Sequence, residues 1–187
     1  EPYEKMFENA QSLGLQNAMS FIVGIGETLD DFPLLEQFIK KYSIAKIHVY
    51  GLIPHKGTMF EQTQPPTAEY QAKWIALIRC AFPTINIQCG IWEDRVERIN
   101  ILLRAGANTI SKFSVIKKFG SQAAHEIEQQ AIEAGRTFKG TLTKMPRINT
   151  EEEISSLQLD DKLKQQIKQK LQQYIDRMNH GVILCEQ

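Results

Sequence analysis

The sequence predicts an α/β protein built on parallel strands, and three observations predict it. Short β-rich runs alternate with longer stretches of helical periodicity. The β-runs are near-continuously apolar and close on Gly, Pro or polar residues. The alternation repeats four times. Right-handed crossovers then place every strand C-terminus on one edge of the sheet, where the loops of such folds carry the chemistry.

The N-terminal stretch EPYEKMFENAQ reads as the interior of a helix, so the chain is expected to begin inside a longer protein. The first strand is MSFIVGIG, Met19 to Gly26. Thr28 then caps a helix with Asp30 and Asp31 in its first turn, where the dipole favours negative charge, and with Leu34, Leu35, Phe38 and Ile39 as its apolar face. The second unit opens with IAKIHVYGLIP, Ile44 to Pro54. After the loop HKGTMFEQTQPP, Thr67 caps a helix whose core side is Trp74, Ile75, Leu77, Ile78 and Phe82. The third unit is the strand Thr84 to Gly90 and the helix Glu93 to Ala105. The fourth is the strand Asn108 to Ser114, a loop through Gly120, and the helix Gln122 to Ala134 ended by Gly135. Four loops fall on the functional edge: 24–28, 51–66, 89–93 and 112–120.

The remaining residues read differently. Thr150 and Glu153 have the spacing of a capping box. Asp160 to Met178 carries an amphipathic stripe at Leu163, Ile167, Leu171, Tyr174 or Ile175, and Met178, read as a helix packed on the outside of the fold. The terminal GVILCEQ is expected to form a short strand. The expected domains are therefore 1–145 and a helical extension over 146–187.

Composition narrows the function classes. The chain has 187 residues, 22 basic and 22 acidic side chains, and 42% apolar residues. Zero net charge gives no reason to expect nucleic acid or an anionic membrane as partner. No apolar run approaches the roughly 18 residues of a membrane span. The cysteines, Cys80, Cys89 and Cys185, are too few and scattered for a disulfide framework, and they form no CxxC pair and no three-cysteine cluster motif. Reduced thiols and a cytoplasmic location follow as expectations.

Four stretches, in order, carry a family resemblance. They are VGIGET (Val23 to Thr28), HKGTMF (His55 to Phe60), WIALIRCAFP (Trp74 to Pro83) and RAGANTI (Arg104 to Ile110). Over about residues 3 to 115 the chain resembles the C-terminal half of radical S-adenosylmethionine enzymes of the biotin-synthase-like group, archaeal-type lipoyl synthases among them. The resemblance implies a TIM-like (β/α) barrel, of which this chain supplies the C-terminal part. It implies S-adenosylmethionine as cofactor and a 4Fe–4S cluster held by a CxxxCxxC loop in the other barrel half. The deoxyadenosyl radical formed there abstracts hydrogen from an unactivated C–H bond of a small-molecule or protein-bound substrate. Sulfur insertion is one possible outcome.

The resemblance also assigns residues. Val23 and Gly24, with Gly26 and Glu27, would lie against the cofactor; the alternative is a tight βα turn with Glu27 favoured by the helix dipole. Tyr50, His55, Lys56 and Lys112 are the substrate-side candidates. His48 and Tyr50 share one strand face, so both line a barrel if that face does. Lys56 has the chemistry to hold a carboxylate, against the alternative of a solvated loop lysine. Cys89 reads as a buried structural thiol, Cys80 as packing, and Arg95 and Arg98 as part of an exposed charged helix face. No catalytic residue and no metal ligand is assigned within this chain. Two departures separate it from biotin synthase itself. Ile91 and Trp92 stand where that enzyme has a cluster-binding arginine, and Tyr50 where it has an asparagine.

The competing readings are a non-catalytic half-barrel that needs a partner chain, and an unrelated TIM-type enzyme using Lys112 or His55 as base.

Overall fold

Four parallel strands lie side by side in chain order: β1 (Asn17–Val23), β2 (Ile44–Gly51), β3 (Asn86–Gly90) and β4 (Thr109–Ile110). The computed structural model describes residues 2–91, 93–111, 113–145 and 147–185, without the side chains of Glu93, Asp94 and residues 180–185. The chain divides into two compact units, residues 1–112 with 133–136, and residues 113–132 with 137–187.

The first unit holds the sheet. Its helices are α1 (Pro2–Ser12), α2 (Phe32–Lys41), α3 (Ala68–Ala81) and α4 (Ile99–Arg104). Parallel pairing aligns Ile22 with Tyr50 and Tyr50 with Gly90, so strands β1 to β3 end level with one another. Because side chains alternate along a strand, each residue row faces one side only. Val23, Ile47, Val49, Ile87 and Cys89 face the helices and are fully buried. Helices α3 and α4 pack on that side, bringing Trp74, Ile75, Ile78, Ile99 and Leu102 into the core. Burying each such aliphatic side chain contributes about 1.5–3 kcal/mol. Phe21 meets Trp74 edge-on at 5.0 Å between ring centroids, with Phe32 on the same indole at 6.3 Å.

The other side of the sheet is less apolar than the near-continuously apolar β-runs suggest. Ala18, Ser20 and Ile22 are exposed there, and Lys46, His48, Tyr50, Asn86, Gln88 and Thr109 are half-buried. The sheet is open, and no closed barrel forms among the described residues.

Several local expectations hold and others shift. Thr67 caps α3, its Oγ1 accepting from the Tyr70 N–H at 3.2 Å. Thr28 precedes a short 3₁₀ segment, Leu29–Asp31, and α2 starts only at Phe32, with Pro33 in its first turn. That offset turns Leu34 to solvent and leaves Leu35 and Ile39 buried. Strand β4 is two residues long; just beyond it the Ser111 N–H donates to the Cys89 carbonyl at 3.2 Å, and the Ser111 hydroxyl hydrogen-bonds the backbone of Ile91. Glu93–Arg98 is 3₁₀ with a break at Arg95 (φ −135°, ψ 33°), and α4 follows.

At the N-terminal edge, the buried Asn17 amide donates to the carbonyls of Phe7 (3.2 Å) and Tyr42 (2.8 Å), joining α1 and the end of α2 to β1.

The second unit is helical: α5 (Val115–Lys118), α6 (Gln122–Glu133), α7 (Thr150–Ser155) and α8 (Asp161–Cys185). Gly135, at φ 70°, follows α6 as expected. Asn149, rather than Thr150, caps α7. Its side chain accepts from the Glu152 N–H and donates to the Glu152 carboxylate, so the reciprocal pair sits one residue earlier than the Thr-Glu spacing suggests. In α8, Ile167, Leu171, Tyr174, Ile175 and Met178 form a half-buried stripe, and the helix packs on α5 and α7. The expected strand at GVILCEQ is instead the continuation of α8 through Cys185. A helix satisfies its backbone within itself, whereas a strand there would need a neighbour to pair with.

Candidate functional site

Strand C-termini converge at Val23, Gly51 and Gly90. Beyond Val23 the chain turns sharply, with Gly24 at φ 97° and Gly26 at φ 116°. The Glu27 carboxylate closes this turn on itself, accepting from the Gly24 N–H at 2.6 Å and the Ile25 N–H at 2.9 Å. Tyr70 on α3 donates its hydroxyl to the Glu27 carbonyl at 2.9 Å. Gly24 is needed here for contact as well as for conformation: a Cβ on it would meet the Pro66 ring at 2.8 Å, and one on Gly51 would meet that ring at 3.3 Å. Two strand ends thus leave room for one buried proline.

On the open face, Tyr50 lies flat over Gly90. A Cβ at Gly90 would fall 2.2 Å from the tyrosine ring. His48, one row below, has its ring centroid 6.4 Å from that of Tyr50. Its Nε2 is enclosed and without a hydrogen-bond partner. Burial and then the neighbouring Lys46 charge push the His48 pKa down. The shared face expected for His48 and Tyr50 is therefore observed.

His55 and Lys56 are exposed on the loop after β2. That loop is a run of turns. The Thr58 hydroxyl donates to the His55 carbonyl at 2.7 Å, and the Gly57 N–H donates to the Glu61 carboxylate at 2.9 Å. Lys112 lies outside the described residues. Of the candidates, the structure brings together His48 and Tyr50 on the sheet, and separately Val23, Gly24 and Glu27 at the first turn.

Sequence reasoning missed the residues that hold this edge together. Gln71, fully buried on α3, donates through Nε2 to the carbonyls of Val49 and Gly90, each at 3.0 Å, tying β2 to β3. Arg98 donates to the Pro66 carbonyl at 3.1 Å and Arg95 to the Leu52 carbonyl at 3.4 Å. The expected exposed charged face is thus corrected: the Arg98 side chain is only 15% exposed. The one available signal was Gln71, a polar residue on the apolar stripe of α3.

The scan for known families matches the Biotin and Thiamin Synthesis associated domain over residues 49–147. The chain belongs to this domain family. It is a relative of biotin synthases. An uncharacterized protein of Methanocaldococcus jannaschii is 31% identical over 195 residues, covering 95% of this chain and 55% of that protein. Biotin synthase of Thermodesulfovibrio yellowstonii is 29% identical over 125 residues, 66% of this chain and 40% of the enzyme. Biotin synthase of Thermotoga neapolitana is 34% identical over 89 residues, 46% and 32%. The chain thus spans about half, or less, of these relatives.

Two of the stretches that carry the family likeness meet at the edge opposite the candidate site. Arg79 donates to the carbonyls of Gly106 (3.0 Å) and Pro83 (2.8 Å), and its stem fills the space where a Gly106 side chain would be. Asn108 accepts from the Ile87 N–H at 2.7 Å. In this Biotin and Thiamin Synthesis associated domain those residues fasten α3 to the turn before β4, a packing role. Cys80, expected to pack, is exposed.

The residues present do not fit an iron–sulfur cluster. No three His, Cys, Asp or Glu residues group as metal ligands among the described residues. The buried Cys89 thiol donates to the Thr109 carbonyl at 3.4 Å, and burial pushes its pKa up to about 12. No helix among the described residues is long and apolar enough to cross a membrane.

Proposed function

We propose that this chain is the C-terminal half of the barrel of a radical S-adenosylmethionine enzyme, with the open face of the sheet as its inner wall. In this reading residues 1–145 form the barrel half and 146–187 a helical extension. The other half, in the same polypeptide or a partner, carries the cluster loop. One observation carries the proposal. The face opposite the helices bears Lys46, His48, Tyr50 and Gln88 rather than an apolar layer, on a parallel sheet of this family. A parallel sheet left open on one side is rare outside barrels, where the second face is enclosed by the curvature of the sheet itself.

Cofactors bound by the other half would supply radical chemistry at an unactivated C–H bond. This chain's residues shape the chamber. Tyr50 covers Gly90 at its mouth. His48 packs beneath it, its enclosed Nε2 without a hydrogen-bond partner. Lys56 and His55 stand above on the loop, with Lys112 a further candidate. At the Gly24–Glu27 turn the Gly24 and Ile25 N–H groups are already bonded to Glu27. Contact with S-adenosylmethionine there would therefore be made by the backbone surface of Val23 to Gly26 and not by those donors. The substrate is a small molecule or a protein-bound group, and the location a reducing cytoplasm. Sulfur insertion, as in biotin or lipoyl synthases, is the narrower version. Cys89 is too deeply buried to serve it.

The test uses the full-length natural protein, reconstituted anaerobically with iron and sulfide and supplied with reductant. Cleavage of S-adenosylmethionine to 5′-deoxyadenosine is expected, at a rate that falls when Tyr50→Ala opens the chamber mouth. A reconstituted protein that holds iron and sulfide yet releases no 5′-deoxyadenosine would overturn the proposal.

A further inference from the structure

The loop between β2 and α3 is fastened at its two ends and self-contained between them. Its hydrogen bonds from 53 to 65 are internal turns: Thr58 N–H to His55, Glu61 N–H to Thr58, Thr63 N–H to Phe60, and Gly57 N–H to the Glu61 carboxylate. Met59, near its tip, is 89% exposed. At the ends the situation reverses. Leu52 is buried and its N–H donates to the Val23 carbonyl at 2.9 Å, while Pro66 is buried against Gly24 and Gly51. The carbonyls of these two end residues each receive a guanidinium, Leu52 from Arg95 and Pro66 from Arg98. Both arginines come from the 3₁₀ segment after β3, one turn apart. The backbone break at Arg95 separates the two donors into different local conformations.

We propose that Arg95 and Arg98 form a brace and are positioning residues. They hold the 52–66 loop, and with it His55 and Lys56, at the C-terminal edge of the sheet. The physical case rests on three points. A guanidinium stays charged at every relevant pH, and its bonds to carbonyls are charge-assisted. Arg98 is largely enclosed, so solvent competes poorly for its donors. Finally, the same segment adjoins Ile91, whose N–H is bonded to Ser111, so the brace is rooted in the ends of β3 and β4. The position of the second βα loop is thus set by the third βα unit. The functional importance of the brace rests on the loop belonging to the active edge; its structural action does not.

Hydrogen exchange on the full-length protein separates these two. Arg98→Met keeps the apolar stem and removes the donors; Arg98→Lys keeps a charge and one donor direction. Arg95→Met provides a milder second case. Arg98→Met is expected to speed exchange of the amides at 57, 58, 61 and 63 by roughly ten- to a hundredfold, the size expected for a charge-assisted hydrogen bond. Amides of β2 and β3 are expected to stay unchanged, Arg98→Lys to restore part of the protection, and tryptic cleavage after Lys56 to accelerate in parallel. Unchanged loop exchange in both Met variants would overturn the brace. So would equal acceleration across β2 and β3, which would mark the arginines as general stabilisers. Release of 5′-deoxyadenosine by the same variants reads the functional half. If the wild-type protein makes none, the radical-enzyme reading fails while the exchange result still decides the brace.

Discussion

Glycine at position 90 has no conformational reason to be glycine, since its backbone is not in the left-handed region. Its reason is the tyrosine ring lying on it. Gly90→Ala would force Tyr50 off the sheet, and overpacking of this kind costs about 1–3 kcal/mol. The paired change Tyr50→Ala should remove most of that penalty. A double-mutant cycle followed by urea unfolding measures it, and additive effects of the two changes would contradict the packing seen here. Gly51 follows the same logic through Pro66, while Gly24 combines that contact with a left-handed backbone. The turn that the family resemblance sets against the cofactor is, at this level, a socket for a proline ring, with Glu27 already holding its N–H groups.

Between elements, single polar side chains act as fasteners. Gln71 ties β2 to β3 at the candidate site, Asn17 ties α1 and α2 to β1, and Arg79 ties α3 to the turn before β4. In the second unit Glu128 on α6 gathers the segment 141–143, accepting from the Thr141 hydroxyl, the Leu142 N–H and the Thr143 hydroxyl. Burial alone would raise its pKa, but these bonds from Leu142, Thr143 and Thr141 outweigh it and hold the carboxyl below its usual range. Such a group contributes stability above its unfolded pKa and loses it as pH falls through the lower folded value. Glu128→Ala should therefore expose the amides at 142 and 143 to exchange at neutral pH, and acidification should reproduce the effect in the wild-type protein. Protection unaltered by either treatment would show that the segment is held by something else.

At the scale of the whole molecule, the sheet ends on both sides in strands whose outer edges are unpaired among the described residues, and one face is only partly covered. Exposed parallel edges and an uncovered face invite association. If the sheet is the half-barrel proposed above, the 187-residue chain alone is expected to self-associate with rising concentration in sedimentation experiments. A strictly monomeric chain would argue that the open face is a finished surface, favouring a non-catalytic domain.

Much of the architecture was legible in the residues. The four β–α alternations, the parallel order, the Thr67 cap, the Gly135 stop and the shared face of His48 and Tyr50 all follow from periodicities of two and 3.6 and from local turn chemistry. These act between residues near in sequence, so the sequence alone determines them. The family likeness was legible for the same reason, since it lies in short stretches. Only the tertiary structure decided which likeness residues face the candidate site and which merely fasten the far edge. It alone revealed that Arg95 and Arg98 grip a loop more than thirty positions earlier. It also decided that one sheet face stays polar and open. Partners this distant along the chain are chosen by packing, and no local pattern encodes which carbonyl a guanidinium will reach.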